Sequence, residues 1–276
     1  MTKKVNCASV VRYIVLIFLT FLTLYPFSLL IVTSLKTQME YMRSSVAFPK
    51  VPQIVNFATV WKRSDIFSGF RSSVTITVLS LVLLIFFGSL AAYALTKMNF
   101  AKAGKYQLIF LAPMILPIQI IAIPLYLIFS KMQMLNSLGG ISFVYVATGL
   151  PLVIFIMTSF MKTIPNSINE AAKIDGASEF QVFYRIMLPL LKPVLATVTI
   201  ISGLGVWNDF FLPLLLISDP IKKTLPLKIY AFMGQYSSNW PLICTCIIFV
   251  LLPVFILYIA MRKYIVQGVV AGAVKE

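Results

Sequence analysis

The chain has no histidine, and only 8 of its 276 residues are acidic. Without imidazole, proton transfer by histidine and histidine metal sites are both excluded, and no metal site is expected. Cysteine is scarce too. Cys7, Cys244 and Cys246 form no C-x-x-C pair, and the last two share an apolar run. All three read as unpaired packing residues, with no disulfide framework. Charged residues make up 11% of the chain and apolar ones 60%, whereas soluble domains run at about a quarter and about half. With a mean hydropathy of +0.95, most of the chain belongs in lipid and not around one aqueous core.

The charge that is present is one-sided, with a net of +15. The basic residues form no single stripe or patch, which excludes nucleic acid as the partner. They sit mostly between apolar runs, where Lys and Arg anchor membrane spans.

A span needs about 20 mostly apolar residues. Six segments qualify, at roughly 10–33, 72–96, 106–129, 141–161, 193–217 and 240–261. The expected fold is therefore all-α: one polytopic membrane helix bundle over 1–276, with six transmembrane helices. Lys3, Lys4 and Arg12 around the first run resemble a signal peptide, but that run crosses a bilayer and no small-residue cleavage site follows. It reads as a retained first span. An even number of spans puts both termini on one side. Loop 97–105 carries Lys97, Lys102 and Lys105, and Arg262-Lys263 open the C-terminal tail; loop 130–140 carries only Lys131. Short loops set orientation, so both termini are expected in the cytoplasm. The six Lys/Arg of 34–71 run against this, but long loops cross largely regardless of charge.

Pro113, Pro117 and Pro124 crowd the third span, and Gly203, Gly205 and Pro213 should bend the fifth. Two readings stay open for the third: tolerated kinks in a packed bundle, or broken helices beside a pathway that opens and closes.

Loop 162–192 is too polar to span, and by the orientation above it is cytoplasmic. Its sequence reads as helix–turn–helix. Ser167 with Glu170 forms one capping box and Ser178 with Gln181 another. Asp175-Gly176 stops the first helix, the glycine taking the left-handed conformation. Phe180, Phe183, Tyr184 and Met187 then recur on one helical face, Pro189 ends the second helix, and Pro193 opens the next span. The apolar face needs cover, from lipid headgroups or from a soluble partner's groove.

The run Glu170-Ala171-Ala172, three residues, Gly176, nine residues, Ile186-x-Leu188-Pro189 resembles the EAA loop of ABC importer permeases. SLAAYALTKMNFAKAG (89–104), PMILPIQIIAIPLY (113–126), WNDFFLPLLL (207–216) and the tail VQGVVAGAVKE are similar to carbohydrate importers, most of all the second permease of maltose-type systems. The likeness covers nearly the whole chain. It implies that 162–192 is the coupling loop seated in a cleft of an ATP-binding subunit. Glu170 would meet a basic residue there, Ala171 and Ala172 would permit close approach, and Gly176 would supply the turn. Asp175, Phe180, Phe183, Ile186, Leu188 and Pro189 complete the implied contact set.

The chain has no G-x-x-x-x-G-K-[ST] loop, so ATP and its Mg would be bound by a separate subunit and no cofactor by this one. The resemblance further implies two ATPase subunits, a second and distinct permease, an extracytoplasmic sugar-binding protein, and a prokaryotic inner or plasma membrane. Asn208-Asp209 with Trp207 is the candidate pathway lining, since an acid within a span faces a cavity or a partner; a structural hydrogen bond is the alternative. Segments 34–71 and 218–239 are candidate binding-protein contacts, Phe232 to Trp240 being aromatic and polar, or plain connections. Three other readings compete. A permease for a peptide or amino acid shares the same plan. An ion-coupled transporter would carry several intramembrane acids and internal repeats, and a membrane enzyme would need clustered ionisable groups.

Overall fold

The computed structural model describes residues 7–98, 102–233 and 238–273, with backbone alone for 7–9, 231 and 260–273. It is helical, and the described residues hold no strand beyond one isolated bridge, Met233 to Ser238. The helices are α1 (Cys7–Ser34), α2 (Gln38–Arg43), α3 (Val55–Arg63), α4 (Ile66–Lys97), α5 (Ala103–Leu111), α6 (Ala122–Lys131), α7 (Leu138–Met161), α8 (Asn166–Ile174), α9 (Glu179–Leu190), α10 (Lys192–Asn208), α11 (Phe211–Leu216) and α12 (Trp240–Ala273).

Four stretches are long and apolar enough to cross a bilayer: Val10–Ser34, Ile66–Lys97, Leu138–Met161 and Trp240–Ile259. They match four of the expected spans. The other two expected spans are broken.

In the third, Ala103–Ile115 and Ile118–Lys131 meet at 80°. The break has a local cause. A residue before proline is pushed out of the helical region, and Leu116, ahead of Pro117, is extended at φ −90°, ψ 118°. Short 3₁₀ turns at Ala112–Ile115 and Ile118–Ile121 flank it. Pro124 lies in the first turn of α6, where its missing N–H costs nothing. The third span is thus broken rather than gently kinked.

The fifth expected span, 193–217, also needs correction. Gly203 and Gly205 lie inside an unbroken α10, and the chain breaks instead at Asp209, whose backbone is extended at φ −69°, ψ 133°. Pro213 sits in the first turn of α11 and breaks nothing there.

Backbone contacts divide the chain into two units, 1–67 with 228–252, and 68–227 with 253–276. In the first, residues 34–67 are braced by their own contacts. Thr37 and Glu40 form a capping box on α2. The Lys36 ammonium is buried and donates to the Ser44 and Ser45 carbonyls at 3.0 and 2.8 Å. Asn56 donates to the carbonyls of Ser34 and Lys36, and Phe57 and Trp61 pack on Phe249.

In the second unit, α7 packs against α10 and α5. Small residues let α4 and α7 approach closely: a Cβ on Gly88 would collide with Val153, and one on Gly149 would press on Leu84. The largest core here joins Leu84, Ala92 and Tyr93 of α4, Val153 and Met157 of α7, and Val182, Phe183 and Met187 of α9. The polar loop 162–192 is therefore rooted in the same core as the spans.

Candidate functional site

The loop begins where α7 ends at Met161. The expected capping box of Ser167 and Glu170 is not formed. The cap falls two residues earlier, at Pro165 with no side-chain bond, and the helix starts at Asn166. The reason lies outside the loop. Lys97, at the end of α4, is 9% exposed; its ammonium donates to the Ile164 carbonyl at 2.5 Å and to Asn166 Oδ1 at 2.8 Å. A tertiary contact fixes this start, and Glu170 is left exposed.

The stop is as expected. Asp175 is the C-cap of α8 and Gly176 follows at φ +85°, with the Ala177 N–H bonded to the Ala172 carbonyl at 3.0 Å. Nothing lies within 4 Å of a Cβ placed on Gly176, so the demand for glycine there is conformational alone. The Ser178–Gln181 capping box is formed in both directions, at 3.3 and 2.8 Å.

Two expectations for α9 are corrected. Pro189 does not end the helix, which runs on to Leu190; the proline falls in the first turn of the segment Leu188–Leu190. Phe180, Phe183, Tyr184 and Met187 do not share one face either. Residues Val182–Met187 form a π turn, whose wider i to i+5 spacing separates side chains that an α-helix would align. Phe183 and Met187 are buried, while Phe180 and Tyr184 stack on each other in the open, 69% and 61% exposed, with ring planes 3° apart.

The ten loop residues thus divide. Glu170, Ala171, Asp175, Gly176, Phe180 and Pro189 face outward. Ala172 and Phe183 are core, and Ile186 and Leu188 pack against that core. Ile174, 86% exposed, joins the outer group; nothing in the helical pattern had singled it out.

A polar cluster beneath the loop was also not legible in the sequence. The Tyr93 hydroxyl of α4 donates to Glu179 Oε2 at 2.7 Å and lies 3.2 Å from Asn169 Oδ1. Asn169, 5% exposed, donates through Nδ2 to the Lys97 carbonyl at 3.3 Å. Lys173 forms an ion pair with Glu179 across the loop's turn. Lys173, and then the Tyr93 hydroxyl, hold the Glu179 carboxyl below its ordinary range. The only sequence signal was weak: Tyr93 and Lys97 stand four apart, on one face of the last turns of α4.

The candidate pathway residues occupy the break between α10 and α11. Trp207 is 8% exposed and meets Phe70 edge-on at 6.0 Å, while Asn208 is exposed. Asp209 is not in mid-helix. Its carboxylate accepts from the Tyr145 hydroxyl at 2.7 Å and from the N–H groups of Phe211 and Leu212 at 2.9 and 3.3 Å, so it caps α11 and ties it to α7. A cavity of about 400 Å³ beside this break is lined by Ile123, Tyr126, Phe211, Leu214 and Leu215. Of the outer aromatic stretch, 234–237 lies outside the described residues. Phe232 is buried, and Trp240 packs on Tyr41.

Comparison with known proteins adds three likenesses. The Bacillus subtilis melibiose/raffinose/stachyose import permease protein MelC is 35% identical over 251 residues, covering 91% of each chain. The Thermoanaerobacterium thermosulfurigenes protein named probable starch degradation products transport system permease protein AmyC is 33% identical over 99% of this chain and all of its own. One chain of the crystal structure of a bacterial ABC transporter involved in the import of the acidic polysaccharide alginate shares the fold, with a TM-score of 0.80 at 21% identity, over 96% of this chain and 98% of that one. Residues 84–270, which contain the whole loop, match the family model of the binding-protein-dependent transport system inner membrane component, and the chain belongs to that family of multi-pass membrane transport subunits.

Proposed function

We propose that the chain is one permease subunit of an ATP-driven importer and forms, with a second and distinct permease, the pathway for a sugar or oligosaccharide delivered by an extracytoplasmic binding protein. The observation that carries this is the loop's outer surface. Ile174, Phe180 and Tyr184 are exposed at 61–86%, on two short helices whose other side is locked into the core of the spans. Large apolar groups on such a rigid knob suit a groove in a soluble partner. The sugar assignment draws on the relatives, named for melibiose, raffinose, stachyose and starch degradation products.

In this reading both termini and the loop are cytoplasmic, and the bent third span and the broken fifth, α10 with α11, count with the four straight spans to give six. A pair of ATPase subunits binds ATP and Mg, and one of them grips Glu170, Ala171, Asp175, Gly176, Phe180 and Pro189 together with Ile174 and Tyr184. Ala172, Phe183, Ile186 and Leu188 shape that surface from below. ATP closure moves the loop and hydrolysis resets it; a conformational shift follows only if the partner grips the loop differently in the two states. Asn208, open at the α10–α11 break, contributes to the pathway, with Trp207 and Asp209 fixing its backbone.

The test is purification of the tagged chain from its own membranes in mild detergent. The expected result is an ATP-hydrolysing pair and a second permease in the same complex, with uptake of an α-galactoside or malto-oligosaccharide in reconstituted vesicles. A chain that purifies alone, from membranes where it supports uptake, overturns the proposal.

A further inference from the structure

Tyr93, Lys97 and Asn169 of the cluster beneath the loop face inward and are not placed to grip a partner, while Glu179 and Lys173 stand part-exposed at its edge. Lys97 and Asn169 are 9% and 5% exposed, and the Tyr93 ring packs on Phe183 with centroids 5.3 Å apart. What the cluster joins is unusual. One turn of α4 holds three separate places on the loop: its entry through Lys97 to Ile164 and Asn166, the middle of α8 through Asn169, and the start of α9 through Glu179. Lys173 closes the set by pairing α8 with Glu179. Two short helices joined through a glycine would otherwise hinge at Gly176, and helices of this length are marginal alone.

We propose that Tyr93 and Lys97 of α4, with Asn169 and Glu179, form a latch that makes the two loop helices one rigid body with the end of α4, so that displacement of the loop is delivered to that span. This rests on the reading of 162–192 as the coupling loop. Tyr93 and Lys97 are positioning residues here and touch neither nucleotide nor cargo. The chemistry suits the task. The Tyr93–Glu179 bond is charge-assisted and short, hence stronger than a neutral one. The Lys97 ammonium meets neutral acceptors only in its two bonds, so it gives direction without a competing ion pair.

The test uses the assembled transporter in vesicles and reads uptake per ATP hydrolysed. Tyr93→Phe removes one oxygen and keeps the ring on Phe183. It should leave the ATPase bound and hydrolysing, and lower uptake per ATP by at least about threefold, within the range known for residues that couple distant sites. Glu179→Ala, at a side chain 42% exposed, removes the same bond from the other end and threatens folding little; it should give the same loss. The double variant should be no worse than either single one, and Glu179→Gln, which still accepts from Tyr93, should restore most of the ratio. A merely structural role would lower assembly or stability and leave the ratio alone. Wild-type uptake per ATP in assembled Tyr93→Phe or Glu179→Ala complexes overturns the latch. If the wild-type chain brings no ATPase with it, the coupling reading itself has failed, and that is seen before any variant is compared.

Discussion

Gly176 is a position where backbone conformation alone selects the residue. At φ +85°, with nothing within 4 Å of an added Cβ, a side chain there costs about 1–2 kcal/mol through the backbone conformation. Gly176→Val should therefore leave insertion and stability of the spans nearly intact and misplace α9, seen as lost retention of the ATPase; Gly176→Asn should retain most of it. Asp209 makes the opposite case, since contacts define it. Asp209→Ala strips the acceptor from three donors and should destabilise the chain by about 1–2 kcal/mol, the scale of a lost N-cap. Asp209→Asn, which keeps one carbonyl oxygen, should cost much less; thermal unfolding in detergent distinguishes them. Glu179 adds a pH statement. Its folded pKa is depressed, so its contribution is complete above the unfolded value of about 4.3 and is lost only as pH falls through the lower folded one. Protection of the amides of Ser178–Gln181 in hydrogen exchange, corrected for intrinsic rates, should be flat around neutral pH and fall only in acid.

At the scale of elements, the π turn of α9 sorts one aromatic run into two jobs. Phe183 is 6% exposed in the core and Phe180 is 69% exposed on the surface. Phe183→Ala should cost about 3–5 kcal/mol of stability, as for other buried aromatics. Phe180→Ala should leave stability unchanged and weaken only the hold on the ATPase. Equal effects of the two on thermal stability would contradict the sorting. The broken helices follow the same principle of local cause. Leu116 is extended because Pro117 follows it, and α10 stops because Asp209 starts a new helix.

For the whole molecule, the expected orientation has a direct check. Cysteines introduced at Lys102 and Glu170 should react with a membrane-impermeant maleimide only in inside-out vesicles, and one at Ile221 only in right-side-out ones. With Cys7 first replaced by Ser, the remaining native Cys244 and Cys246 lie in α12 among apolar neighbours, intermediate and buried in exposure, so they should contribute little background. Labelling of Lys102→Cys and Ile221→Cys from the same side would overturn the six-span topology.

Apolar runs of span length settled the helical membrane fold, because a bilayer leaves the backbone few other ways to satisfy its hydrogen bonds. Motif spacing located the loop, and local chemistry placed Gly176 and the Ser178–Gln181 cap, since both depend on residues only a few positions apart. What the sequence could not settle depended on distant partners. Lys97 moved the cap of α8 from Ser167 to Pro165, Tyr93 reached Glu179 across 86 positions, and Tyr145 met Asp209 across 64. These contacts join residues that only the packing of α4 and α7 brings together, and short-range spacing carries no signal of them. The tertiary structure alone decided which loop residues face outward and which root the loop in the spans.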